Sequence, residues 1–236
     1  PSSQWFTFLR CHDELSLELV YISEEDRKYI HDHYCHQPEW DFREGEGISA
    51  RLSELMQMDI RKISAAYSLM LSLPGTPVIY YGDEYGKAND MDYYREMTHM
   101  TGKDDTRFLV RGRMDWEEIN KELNDPESFS YRVFQRLSRM IITRKAHAAF
   151  GRGKLEWKEV QQIGKFDGDE VVAFLRTHKC ERILVIQNLS EYTIPVIYPE
   201  KVLADFEKDL LGQKVIPDVA DNTIVLEPYA YYWFLI

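Results

Sequence analysis

The sequence predicts an α/β fold joined to an all-β part, and three observations carry that expectation. Over residues 1–150, two apolar runs each end in a pair of carboxylates and are separated by a helical pattern, the plan of a parallel-sheet unit. After Gly151 the hydrophobic period changes from helical to alternating, in short runs separated by Gly, Asp, Asn and Pro. With 236 residues, 44% of them hydrophobic and including 15 Tyr, 11 Phe and 5 Trp, the chain is large and apolar enough to bury a core.

The first run, Trp5, Phe6, Phe8 and Leu9, is apolar on both faces and reads as a parallel strand covered on both sides. It delivers His12, Asp13 and Glu14 to its carboxyl end, which in a barrel of strands and helices is where chemistry is done. The alternative is a His-Asp pair that caps the next element. Ser23 followed by Glu24, Glu25 and Asp26 opens a helix that runs to about Tyr34, with carboxylates against the positive end of its dipole. That helix carries His31 and His33 near Cys35 and His36, but a metal there would need further ligands beside Pro38, and a solvated polar loop is the preferred reading. Trp40 to Gly47 reads as a Gly-interrupted loop able to close over a site.

Met58, Ile63, Ala66, Tyr67, Met70 and Leu71 share one face of a helix. Pro74-Gly75 stops it, Val78 to Tyr81 is the core of a second strand, and Gly82 turns the chain to present Asp83 and Glu84. These two read as scaffold carboxylates, with a solvated surface pair as the alternative. Lys87 to Arg113 is a polar excursion in which Asp104-Asp105 lacks calcium-loop spacing and reads as a solvated turn. Residues 115–124 form a short helix. Ser128 to Ala149 forms a long one with a stripe of Tyr131, Phe134, Leu137, Ile141 and Ile142. Strands are expected at Val160 to Gly164, Val171 to Arg176, Ile183 to Asn188, Thr193 to Ile197, Thr223 to Glu227 and Tyr231 to Ile236, as an antiparallel sandwich behind a tight hinge near residues 150–154.

A formal charge of −11 disfavours nucleic acid and anionic membrane surfaces as partners, while a neutral sugar substrate is compatible. Cys11, Cys35 and Cys180 are odd in number and lack metal spacing, which points to reduced thiols and a cytoplasmic setting. No apolar run reaches membrane length, and neither a cofactor nor a metal is expected.

The motifs together resemble the α-amylase superfamily, glycoside hydrolase family 13. Phe8-Leu9-Arg10-Cys11-His12-Asp13-Glu14 resembles the pattern at the end of its seventh barrel strand, with Cys11 where an Asn is usual. Gly75-Thr76-Pro77-Val78-Ile79-Tyr80-Tyr81-Gly82-Asp83-Glu84 resembles the eighth strand without a break. Arg111 to Trp116 resembles a degraded Arg-Thr-Pro-Met-Gln-Trp motif, and Arg144 to Gly153 and Leu226 to Leu235 also fit. Leu15 to Val20 and Ala149 to Gly153 point to the branch that resembles trehalose synthase, which isomerises maltose to trehalose.

The resemblance implies that residues 1–150 hold strands seven and eight of a (β/α)8 catalytic barrel with their helices, and residues 151–236 a C-terminal β-sandwich. It implies an α-glucoside or α-glucan substrate. Asp13 matches a carboxylate that stabilises positive charge at the reacting sugar, and His12 a residue that binds a sugar hydroxyl. Arg111 would orient Asp13 or the sugar, with Arg107 competing for that role. Retaining glycosidases need a nucleophile and a general acid about 5–5.5 Å apart. In this family those groups end the fourth and fifth strands, ahead of everything in this chain, so the chain alone should be inactive. It should also expose surface that the missing N-terminal barrel portion would cover and tend to self-associate. The alternative function is a non-catalytic carbohydrate-binding or structural module of the same superfamily.

Overall fold

A computed structural model of the chain describes residues 4–18, 22–166, 168–198, 206–213, 218 and 221–236. Two residues of the expected Leu15 to Val20 motif, Leu19 and Val20, lie outside these. The chain folds as a mixed helix and sheet structure in two compact units, each discontinuous in sequence: Pro1–Thr7 with Ser64–Pro77 and Arg136–Ile236, and Phe8–Ile63 with Val78–Gln135.

In the first unit Phe6–Thr7 pairs in parallel with Thr76–Pro77, Phe6 opposite Thr76. The second strand therefore sits before the expected Val78 to Tyr81 core; Pro77 offers no N–H to carry the ladder onward. Gly75 enters that strand at φ +126°, and a Cβ there would lie 2.9 Å from Thr7 Cγ2. Trp5 and Phe6 are 79% and 69% exposed, so this strand is not covered on both sides as its pattern predicts. The helix Ile60–Ser72 precedes the pair. Ile63, Tyr67, Met70 and Leu71 are buried as expected, but so are Ser64, Ala65, Ser68 and Ser72, a row of small residues that lets other elements approach closely. Met58 stands outside the helix at φ +56°.

The β part of this unit has two antiparallel sheets. One orders Lys208–Asp209, Tyr231–Leu235, Glu181–Asn188, Val171–His178 and Lys154–Trp157; the other orders Thr223–Leu226, Ile194–Ile197 and Gln161–Gln162. Every strand expected here is present, and Lys154–Trp157 and Lys208–Asp209 are additional. Both sheets feed one apolar core, including Ala173, Leu184 and Ile186 from the first and Ile194, Val196 and Leu226 from the second. Trp233 is fully buried, and its Nε1 donates to Ser68 Oγ at 3.0 Å.

Two buried or half-buried arginines satisfy carbonyls where helices end. Arg144 donates to Leu73 O at 3.3 Å, Gly75 O at 2.6 Å and also Leu71 O. Arg176 donates to Phe150 O at 2.6 Å, Gly153 O at 3.1 Å and also Ser72 O. The long helix is Phe129–Ala146, followed after His147 by a separate short helix Ala148–Arg152. Glu181 makes that break, accepting from Ala149 N at 2.6 Å and meeting His147 Nδ1 at 2.8 Å. The buried stripe of the long helix is Val133, Leu137, Met140 and Thr143, whereas Ile142 is 67% exposed.

In the second unit Ser23 and Asp26 form a reciprocal capping box at the start of helix Glu24–Tyr34. Leu15–Ser16, Gly47–Ile48 and Asp41–Phe42 make a small antiparallel sheet in that order. Leu17, Trp40, Ile48, Ala50, Leu55, Leu109 and Val110 form its core. The expected polar excursion contains a helix, Met91–Thr101, begun by the Asp90 side chain on Tyr93 N and ended by Gly102 in the left-handed region. Trp116–Leu123 is capped by Asp115, as the sequence predicts within a residue. Among the described residues no helix is long and apolar enough to cross a membrane.

Candidate active site

The site is built in the second unit from the loop after Phe8 and the turn Thr106–Val110 with Arg111. Asp13 lies at its centre with 23% of its side chain exposed. Its Oδ2 is 3.2 Å from His12 Nε2, and its Oδ1 accepts from Arg111 Nη2. The same guanidinium donates through Nε to His12 O at 3.1 Å, while Arg10 Nη2 donates to Asp13 O at 2.9 Å. One arginine holds both the carboxylate and the backbone before it, and a second holds the backbone behind it. The structure thus brings together the predicted His12, Asp13 and Arg111, with His12, 67% exposed at its side chain, facing outward.

Arg107 takes a different place from the one its competition with Arg111 suggests. It binds Asp105 through Nε at 2.7 Å and Nη2 at 2.8 Å, a bidentate pair that leaves Nη1 3.9 Å from Asp13 Oδ1. Its guanidinium also lies over Phe42, 5.6 Å from the ring centroid. The hydrogen bonds from Arg107 hold the Asp105 carboxyl below its usual range, and Asp105 in turn raises the Arg107 pKa. Asp105 is thus an ion-pair partner, unlike the expected solvated turn, and Asp104 accepts a hydrogen bond from Tyr94.

Arg10, which donates to Asp13 O, belongs to a buried cluster of charged residues. Arg10, Arg51 and Asp83 are 3%, 0% and 3% exposed. Arg51 Nη1 donates to Asp83 Oδ1 at 3.1 Å and also to Tyr81 O. Arg51 lies over the rings of Tyr80 and Tyr81 at 4.7 and 4.8 Å, and Arg10 over Tyr80 at 5.0 Å. Burial pushes the Asp83 carboxyl above its ordinary range against the pull of Arg10 and Arg51. Asp83 is therefore scaffold and not a solvated surface group; Glu84 is half-buried.

The histidines after Ser23 do not converge. His31 Nε2 meets Asp41 Oδ1 at 2.8 Å, His33 packs on Tyr29 and Tyr34, and His36 packs edge-on to Trp40. Asp41 Oδ1 also accepts from Gly45 N at 2.9 Å, which fixes the turn that follows Phe42. Gly112, where the resemblance leads one to expect Thr, is buried, and a Cβ there would run into the Asp90 carboxylate. Sequence reasoning missed the roles of Arg10, Phe42, Arg51 and Asp105. For Arg10 and Arg51 the available signal was an arginine inside an apolar context, and for Asp105 its spacing of two from Arg107.

Residues 171–230 match the family described as the alpha-amylase SusG C-terminal domain. The chain is 33% identical over 253 residues to the trehalose synthase of Thermus thermophilus, covering 99% of this chain and 25% of that protein. It is 31% identical over 265 residues to the trehalose synthase of Pimelobacter sp. (strain R48), covering 98% of this chain and 42% of that protein. Among solved structures it superposes on the sucrose 6F-phosphate phosphorylase from Thermoanaerobacter thermosaccharolyticum with a TM-score of 0.60 at 20% identity, over 83% of this chain and 39% of that one. The alpha-amylase from Geobacillus thermoleovorans gives 0.58 at 16% identity, over 98% of this chain and 38% of that one. The chain belongs to the α-amylase superfamily, glycoside hydrolase family 13. It corresponds to a C-terminal part of such a protein and resembles the trehalose synthase branch, spanning well under half the length of these curated relatives.

Proposed function

We propose that the chain is the C-terminal part of a retaining enzyme that hydrolyses or transglycosylates α-glucosidic bonds, trehalose-synthase-like, with maltose or a related α-glucoside as substrate. The observation that carries this reading is Asp13, a half-buried carboxylate fixed at Oδ1 by Arg111 and flanked at Oδ2 by His12. In the reading, residues 1–150 supply strands seven and eight of a (β/α)8 barrel with their helices, and residues 151–236 a C-terminal β-sandwich. The parallel pairing of Phe6 with Thr76 and the two-sheet core support it. The three free thiols support a cytoplasmic setting.

Asp13 acts on charge and breaks no bond. As the glycosidic bond lengthens, the sugar ring gains positive charge. An anion held in place beforehand by Arg111 stabilises that state more than the ground state. His12 binds a sugar hydroxyl through its exposed ring, and Arg111 keeps the Asp13 carboxylate from rotating. The nucleophile and the general acid come from the N-terminal barrel portion. Cys11, where an Asn is usual, favours the second reading, a non-catalytic carbohydrate-binding or structural member, because a thiol cannot replace the amide's two donors and acceptor.

Assay of the longer protein that contains this chain separates the two. The enzyme reading predicts conversion of maltose by that protein and no release of aglycone from an aryl α-glucoside by residues 1–236 alone. Turnover by the isolated chain contradicts the division of catalytic groups. Absence of an Asp and a Glu at the ends of the fourth and fifth strands in the upstream sequence sinks the enzyme reading.

A further inference from the structure

The chain's departure from its family at Cys11 places a thiol beside the two predicted sugar-binding groups. One donor atom each of Cys11, His12 and Asp13 lie within 4.8 Å of one another, the one such group of three among the described residues. In a tetrahedral zinc site the metal–ligand distances place neighbouring donors roughly 3.3–3.7 Å apart, so closing this set around a fixed Asp13 takes rotation of the Cys11 and His12 side chains. The Cys11 thiol makes a long contact to Glu14 O at 3.8 Å, and His12, 67% exposed at its side chain, already faces Asp13 Oδ2 at 3.2 Å.

Asp13 is also prepared for the role. Arg111 holds Oδ1, leaving Oδ2 on the side of His12. Arg111 then serves as the outer partner that orients a ligating carboxylate, a common requirement of metal sites. A thiolate, an imidazole and a carboxylate suit a borderline-soft divalent ion; because Arg111 already pairs with Asp13, the thiolate is the donor that brings uncompensated negative charge. Calcium and magnesium, which take oxygen donors, are disfavoured by the thiolate and the imidazole.

We propose that Cys11, His12 and Asp13 form a binding site for a thiophilic divalent cation of the zinc class, with water as the remaining ligand. On binding, the Cys11 thiol gives its proton to solvent and a metal–sulfur bond replaces the S–H bond. The occupied site withdraws His12 and Asp13 from sugar, so the metal acts as an inhibitor of the proposed enzyme. Binding itself does not rest on the proposed function.

Cobalt(II) is added to the chain carrying Cys35→Ser and Cys180→Ser, in which Cys11 is the remaining thiol of three. The site predicts a thiolate-to-cobalt charge-transfer band that saturates at a single equivalent and is displaced by zinc. His12→Ala and Asp13→Asn, each checked as folded by circular dichroism, should weaken cobalt binding by at least about tenfold. A folded double variant without the band overturns the proposal, as does a band whose affinity is unchanged in both ligand variants.

Discussion

Arg51 shows how much of this architecture depends on single buried charges. With Asp83 it forms an ion pair out of reach of water, and Arg10 adds a second positive charge stacked on Tyr80. Removing one member of such a pair leaves the other buried and uncompensated, so Arg51→Met should cost about 3–5 kcal/mol in urea denaturation. A change below about 1 kcal/mol would mean that the pair is replaceable. Cys35 offers a second residue-scale test. Burial, then the nearby Asp41 charge, push its thiol up to about 11, whereas Cys180 is exposed. Iodoacetamide near neutral pH should therefore modify Cys180 well before Cys35. At this scale the candidate site was partly legible. His12, Asp13 and Arg111 stand in local motifs, so their meeting could be expected, but the Arg107–Asp105 pair and the Arg10 clamp depend on turns that a sequence pattern does not encode.

Among the elements, those with strong local signals formed where expected. Ser23 and Asp26 cap their helix, Asp115 caps Trp116–Leu123, and the alternating strands after Gly151 lie within a few residues of their predicted bounds. Misses have physical causes. Helix Met91–Thr101 carries many polar residues and no buried ones, so its hydrophobic pattern is weak, although Asp90 and Gly102 mark both ends. The long helix breaks at His147 because Glu181, distant in sequence, caps Ala149. Glu181→Ala should then cost about 1–2 kcal/mol, the loss of a cap, read as a fall in the midpoint of chemical denaturation. An unchanged midpoint would show that the break is local. Acid should loosen the turn Thr106–Val110. Because Asp105 has a lower pKa folded than unfolded, its stabilisation is complete above the ordinary Asp value of about 3.9 and is lost as pH falls through the depressed one. Asp105→Asn should therefore be less stable than the parent near neutral pH and converge with it in acid.

For the whole molecule, the fold class was legible as a mixed α/β part and a β part, but the compact units do not follow the linear order of the chain. Contacts of a discontinuous unit are non-local and leave no local pattern. Trp5 and Phe6 in one unit, and Phe8 and Val78, 56% and 44% exposed, in the other, read as core in the sequence and lie open in the structure. Exposed groups of this size favour association, so light scattering of residues 1–236 should show a mass that rises with concentration; a constant monomer mass would show that these surfaces are tolerated in water. The proposed role of Asp13 is to stabilise charge at a reacting sugar. The direct measurement is kcat/KM for maltose in the longer protein and in its Asp13→Asn variant, with thermal unfolding as the control. Loss of a fixed anion at developing charge should lower kcat/KM by roughly a hundredfold to a thousandfold or more while the fold persists. Equal kcat/KM values in two folded proteins would contradict the claim.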